Sequence, residues 1–321
     1  MLAVEPDCLV FAEDGKFIKA GRTPARVLES LMGGQQGAGD LQALLSLPAQ
    51  FAVTRFLAEC LLEPTVVGPD TRDPQTNQIL QALAKLALER ARPIRVVDLG
   101  AGVGRLLASL RASVGGEDLI DFCDYHAVEP NSANHIALER EILHSYANNE
   151  RRIFRDEHEL CTHLDTKSVD CIVMCNVFHE ISPDEWPSLF LADGALMSCL
   201  SDDGFLLIVE DYGLPIGERA HRFGFLLLDE PEFARLFDVK EADRTSLRFV
   251  RTSAPDEKYS KRLVAHLVHK SCATRVTSAT RCIAIKSLND RSRKFITDCM
   301  QSPLNSEDAS SGRAYAKNAQ L

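Results

Sequence analysis

The chain has no long hydrophobic run. In 321 residues no apolar stretch approaches the roughly 20 residues that cross a bilayer, which argues against a membrane-spanning helix. The opening MLAVEPDCLVFAEDGKF carries Glu5 and Asp7 where a secretory signal carries positive charge, so a cytoplasmic protein is expected. Internal repeats and low-complexity tracts are absent. The ten cysteines have no framework spacing and read as reduced, mostly buried thiols. Cys171 and Cys175 form C-x-x-x-C, but the third position of an iron–sulfur radical motif is Phe178. Adding His179 gives three ligand types at 171, 175 and 179. The segment is strand-like and a fourth ligand is missing, so no metal is expected. The single tryptophan, Trp186, reads as core packing or as a pocket wall.

What is present is an uneven charge distribution. The net charge is −10, yet residues 240–321 hold 16 Lys and Arg against 8 Asp and Glu. A basic C-terminal part either lies against the acidic body or offers a surface to RNA or a protein substrate. About 90 residues of mostly helical pattern open the chain. Residues 33–40 are a glycine-rich connection, the segment after it has apolar residues at helical spacing, and 76–91 is an amphipathic helix stopped by Pro93. Strands then alternate with helices: IRVVDLG (94–100), DFCDYHAVEP (121–130), a weaker RRIFRD (151–156), SVDCIVMCN (168–176) and GFLLIVED (204–211). A helix is expected over PDEWPSLFLADGALMSCL, with the turn DDG before the fifth strand. SLRFVRT and KRLVAHLVHK form a hairpin, and a helix runs from Ser278 to about Met300 before a polar tail. This rhythm predicts an α/β, doubly wound, mostly parallel sheet with a helical N-terminal extension.

VVDLGAGVGRLL (96–107) bears on the cofactor. A strand ending in a glycine-rich turn brings backbone close to a ligand. The dinucleotide fingerprint G-x-G-x-x-G/A fails, because its third small position falls on Arg105 or Leu107. The actual pattern is D-x-G-x-G-x-G, with Asp98, Gly100, Gly102 and Gly104. An acid at the strand end suits a cationic ligand better than a pyrophosphate. This pattern resembles the first motif of the class I S-adenosylmethionine-dependent methyltransferases, and the resemblance covers about residues 94–270. It implies a seven-stranded sheet whose last strand is antiparallel. It also implies that S-adenosylmethionine is the cofactor, that Asp98 and the three glycines hold its amino-acid part, and that Glu129 accepts the ribose hydroxyls. Asp156 is the candidate for the adenine amino group.

CNVFHEISPDEW (175–186) sits where the fourth strand meets the site. Asn176 is a candidate contact to cofactor or acceptor. Methyl transfer from a sulfonium is an in-line displacement, so alignment is the enzyme's main task. A hydroxyl acceptor also needs a base, and histidine suits that near neutral pH. The stretch is similar to small-molecule O-methyltransferases, in which a histidine at this place is followed by an acid and a helix. It departs from them at Ile181 and Pro183. His179 and Glu180 are the catalytic candidates, with pocket lining and plain packing as the other readings of His179. The long segment after the fifth strand supplies Tyr212, His221 and Arg222 as substrate-side candidates. Motifs of amino-adenine and cytosine-C5 methylation are absent, which favours a small-molecule acceptor.

The expected organisation is a helical extension over 1–92, a methyltransferase domain over 93–300 and a tail over 301–321. RNA or protein methylation through the basic region, and a non-catalytic cofactor-binding subunit, stay open as alternatives. Either terminal helical region offers a face for a homodimer.

Overall fold

The computed structural model describes residues 73–146, 151–212, 226–252 and 263–301, together with the backbone of three short strands near the N-terminus. The chain divides into two compact units. In the first, β1 (Leu2–Glu5), β2 (Cys8–Glu13) and β3 (Lys16–Ala20) form an antiparallel meander in that order. A mostly helical start was expected, so this is a correction. The strands are short runs that include Val, Phe and Ile, residue types that favour extended backbone. The expected connection at 33–40, the helices at about 41–64 and the C-terminal tail lie outside the described residues.

The second unit opens with α1 (Pro74–Arg90). Asp73 caps it by accepting the Gln75 N–H at 3.1 Å, and Pro74 fills the first helical position, where a missing N–H costs nothing. Ala91 ends it in a left-handed turn (φ 53°), and Pro93 prevents its continuation. Ile79, Leu83, Leu86 and Ala87 form its buried face.

Seven strands make the central sheet: β4 (Ile94–Leu99), β5 (Cys123–Val128), β6 (Ile153–Phe154), β7 (Val169–Cys175), β8 (Leu200–Asp211), β9 (Phe249–Thr252) and β10 (Leu263–His269). Their order is β6-β5-β4-β7-β8-β10-β9. β4 to β8 are parallel, and β10 inserts antiparallel between β8 and β9. The inner strands are predominantly apolar because helices cover both faces, as Val96, Val97, Ile172 and Val173 illustrate with at most 1% exposure. The helices α2 (Arg105–Val114), α3 (Gly116–Phe122), α4 (Ser132–Ser145) and α5 (Glu157–His163) fall between the first strands. Further along are α8 (Glu230–Leu236), α9 (Glu241–Thr245), α10 (Lys270–Ala273) and α11 (Ser278–Gln301).

Three local expectations need correction. The helix expected over residues 183–200 is two short pieces, α6 (Trp186–Leu189) and α7 (Ala195–Cys199). A turn closed by the Gly194 N–H on the Leu191 carbonyl separates them. The DDG turn is also not a break, since β8 runs through it from Leu200, with a register shift opposite Val169 and Cys171. Cys161 on α5 and Cys199 on α7 are joined as a disulfide, against the expectation of free thiols throughout. Their separation of 38 residues has no framework spacing, and only the packing of α5 beside α7 brings them together. No helix among the described residues is long and apolar enough to cross a membrane.

Candidate functional site

The sheet reverses its winding between β4 and β7. From there the chain runs outward to β5 and β6 on one side and to β8 on the other. The carboxyl ends of strands at such a switch point form a crevice, and every cofactor candidate lies along it.

The turn after β4 is built from left-handed glycines. Gly100, Gly102 and Gly104 have φ of 76°, 57° and 85°, a region that costs an L-residue roughly 1–2 kcal/mol. The N–H groups of Gly100 and Ala101 donate to the Val128 carbonyl at 2.8 and 3.2 Å, which ties the turn to the end of β5. A methyl group at Gly100 would lie 2.6 Å from Val177 Cγ2, so the turn and the segment leaving β7 are in direct contact. At Gly104 it would meet Leu138 and Glu141 of α4 at 3.1 Å. At Gly102 it would meet nothing within 4 Å. The first and third glycines are therefore required by protein packing, and the second leaves backbone facing open space beside the crevice.

Glu129, just beyond β5, is buried and multiply bonded. Its Oε2 accepts the Gly102 N–H at 2.6 Å, and its Oε1 accepts the Asn131 N–H at 2.8 Å and the Asn134 side-chain amide at 3.1 Å. A carboxylate has about four acceptor sites, so three are engaged. His135 fixes the same residue by donating to its carbonyl at 2.7 Å.

Asp98 is 2% exposed at the end of β4 and accepts the Tyr125 hydroxyl at 2.6 Å. Burial pushes its carboxyl up to about 7, the Tyr125 hydrogen bond opposes this, and the Glu129 charge adds to it. Cys175, at the end of β7, is a half-buried thiol raised well above its ordinary range, chiefly by desolvation, with Asp98, Asp73 and Glu210 all adding to the rise. Three carboxyl groups thus surround this end of the crevice, and Arg105 is the cation among them.

Asp156 caps α5 by accepting the Glu159 N–H at 2.8 Å. It also lines a cavity of about 440 Å³. Leu99 and Gly100 form one wall, Val128 and Pro130 another, and the segment Arg155–His158 a third. Val177, Ile181, Leu189 and Leu196 close the cavity from the β7 exit, α6 and α7. Gly100 and Asp156 therefore share one cavity. Trp186 does not line it: Trp186 is fully buried and stacked on Phe178, with ring centroids 4.8 Å apart.

His179 lies in a short 3-10 turn (Phe178–Glu180) that Phe178 anchors among Trp186, Phe190 and Phe233. Its ring is covered, and its Nδ1 meets Glu210 Oε2 at 2.5 Å. Glu210 Oε1 also accepts the His179 backbone N–H at 3.2 Å. The carboxylate accepts, so Nδ1 carries a proton, and in the neutral imidazole Nε2 carries the lone pair. The partner of His179 is the strand-end acid Glu210. Glu180 is exposed and is not part of this pair. Tyr212 is buried, and Arg291 donates to its hydroxyl at 3.3 Å while also holding Glu232. His221 and Arg222 lie outside the described residues.

Sequence reasoning missed the contribution of α1. Asn176, at the end of β7, has φ 56° and exchanges two side-chain hydrogen bonds with Gln75, at 2.8 and 2.9 Å. Asp73 also accepts from Arg105, the residue after Gly104, at 3.1 Å. The signal was present as Asp73–Pro74, an N-cap followed by proline, just ahead of the helix expected over 76–91.

Several of the described basic C-terminal residues pair with acids of the same chain. Arg251 pairs with Asp229, Arg244 with Glu230, Arg275 with Asp243, Arg281 with Asp184, and Lys270 with Asp202.

A family profile described as a methyltransferase domain matches residues 72–241, more than half of the chain, and the chain belongs to that family. It is an S-adenosylmethionine-dependent methyltransferase with the Rossmann-like sheet of that class, and S-adenosylmethionine is its cofactor. Similar solved structures include an S-adenosylmethionine-dependent methyltransferase of Aquifex aeolicus (17% identity, 61% of this chain and 89% of that one, TM-score 0.36). Another is the 1,6-didemethyltoxoflavin-N1-methyltransferase of Burkholderia thailandensis, with 1,6-didemethyltoxoflavin and S-adenosylhomocysteine bound (18% identity, 81% and 98% coverage, TM-score 0.37). A third is magnesium protoporphyrin IX methyltransferase of Synechocystis PCC 6803, with S-adenosylmethionine bound (16% identity, 62% and 82% coverage, TM-score 0.33). No curated protein matches the chain at a significant level.

Proposed function

We propose that this protein methylates a small molecule, with a hydroxyl as the preferred acceptor and His179 as the base. The observation that carries the proposal is the buried His179–Glu210 pair at the carboxyl ends of β7 and β8. The residues fit the cofactor on structural grounds: Gly102 presents backbone to open space, Glu129 holds that backbone, and carboxyl groups cluster where a cation belongs.

S-adenosylmethionine supplies an activated methyl group on a sulfonium. In this reading Glu129 receives the ribose hydroxyls by its free acceptor site and by release of the Asn134 amide. Asp98, once ionised, faces the amino-acid end, and its negative charge favours a bound cation. Asp156 and Asn176 border the adenine and the reactive edge. Glu210 keeps the His179 proton on Nδ1 and stabilises the imidazolium formed when Nε2 takes the acceptor's proton. Tyr212, His221 and Arg222 are the substrate-side residues. The cytoplasm is the proposed location, and residues 1–92, 93–300 and 301–321 are the proposed divisions. Ion pairing of the basic C-terminal residues supports a small acceptor over RNA or protein.

Complete covering of the His179 ring favours a second reading, in which the pair is a strut for the β7 exit. Glu210→Gln and His179→Gln separate the two. A base role predicts methyl transfer reduced about 10²–10⁴-fold with S-adenosylhomocysteine affinity retained. A strut role predicts that affinity and unfolding temperature fall together. The acceptor class is tested by mass-spectrometric detection of methylated products from a panel of phenols, alcohols and amines. Transfer confined to amines would refute the hydroxyl assignment.

A further inference from the structure

Three polar residues, Gln75, Thr76 and Gln78, are buried at the start of α1, with 5%, 1% and 2% exposure. A helix that only packs would bury apolar side chains there, since a buried amide costs free energy unless its bonds are remade. Thr76 remakes its bond locally, on Asp73 Oδ2 at 3.0 Å, and the two glutamines reach distant parts of the chain. Gln78 donates to Thr252 Oγ1 on β9 at 2.8 Å, Asp73 receives Arg105 from the glycine turn, and Gln75 grips Asn176.

The Gln75–Asn176 contact is reciprocal. Gln75 Nε2 donates to Asn176 Oδ1 at 2.8 Å, and Asn176 Nδ2 donates to Gln75 Oε1 at 2.9 Å. Flipping either amide would set donor against donor, so each fixes the other's orientation. Asn176 is also held in a left-handed conformation, with its N–H on the Val209 carbonyl at 2.8 Å. The next residue, Val177, leans on Gly100. One side chain on α1 therefore sets the exit of β7 and, through Val177, its spacing from the glycine turn.

We propose that Gln75 is a positioning residue of the methyltransferase site. It acts through Asn176 and does not touch the cofactor. The proposal rests on the reading that the cofactor lies between the glycine turn and the β7 exit. Gln75→Met keeps the volume and removes both hydrogen bonds. In cofactor-free protein, Gln75→Met should speed amide hydrogen exchange across residues 176–181 while β5 keeps wild-type protection. In calorimetric titration with S-adenosylhomocysteine, Gln75→Met should weaken binding about tenfold. In an Asn176→Ala background the same substitution should change affinity less than about twofold, because its route of action is gone.

Unchanged exchange at 176–181 overturns the proposal, as does an exchange increase spread evenly over the sheet, which marks plain destabilisation. An undiminished effect in the Asn176→Ala background also overturns it. Faster local exchange with unaltered affinity would instead show that the strut is real and that the cofactor lies elsewhere.

Discussion

Replacing Gly100 by alanine tests whether the glycine turn and the β7 exit are one packed unit. Two costs follow from the structure. The residue has φ 76°, which costs an L-residue about 1–2 kcal/mol. The new methyl would also lie 2.6 Å from Val177 Cγ2 and 3.0 Å from Cγ1. Valine is stiff about its first torsion, so backbone or rotamer must shift, and such overpacking costs about 1–3 kcal/mol. Gly100→Ala should therefore lose about 2–5 kcal/mol of stability in urea unfolding. Val177→Ala removes both clashing methyls, and Val177 is only half-buried, so alone it should cost about 1 kcal/mol. The double variant should be more stable than Gly100→Ala and should retain only the backbone cost. If Gly100→Ala unfolds at the wild-type midpoint, or if Val177→Ala makes it worse by its full single-mutant cost, the contact is not as described.

Gly102→Ala should behave in the opposite way: a stability loss near 1 kcal/mol from its φ of 57°, and a loss of S-adenosylhomocysteine affinity of about tenfold or more, measured by titration. Asp98 yields a pH prediction. The folded carboxyl holds its proton up to about pH 7, and the unfolded one releases it near 3.8. Its contribution to stability is thus fully present below about pH 4 and is lost as pH rises through 7. Asp98→Asn should remove that slope and stabilise the cofactor-free protein at pH 8 by about 2–4 kcal/mol, in urea unfolding across pH 5–8. Cofactor affinity of the wild type should rise with pH until about 7 and then level off, because a cation selects the carboxylate. Arg291→Leu should cost about 2–4 kcal/mol in unfolding, since Glu232 has 0% exposure and would lose its guanidinium partner.

The parts of the fold that depend on local pattern were legible in the sequence. Apolar runs bounded by turns marked the parallel strands, and three glycines spaced by two marked the ligand turn. Glu129 entered as a candidate only through the family resemblance, because an acid at a strand end has other uses; in the structure it accepts the Gly102 N–H. What escaped depends on contacts distant in the chain. Gln75 and Asn176 are 101 residues apart, and Gln78 and Thr252 are 174 apart. No spacing rule links them, so α1 read as an ordinary amphipathic helix. His179 was visible as a candidate, but its partner was not: Glu180 is adjacent in sequence but exposed, while Glu210 becomes its neighbour only because β7 and β8 are parallel neighbours. The joining of Cys161 and Cys199 was hidden for the same reason. The N-terminal strands had Val, Phe and Ile in plain view, and the helical periodicity farther along outweighed them.

The most direct test of the account is calorimetric titration of the purified protein and of Glu129→Ala with S-adenosylmethionine and S-adenosylhomocysteine, with circular dichroism to establish that both are folded. Binding by the wild type, weakened at least tenfold in the variant, is the predicted result. A folded wild type that binds neither ligand, or a variant that binds both as tightly, would contradict the site described above.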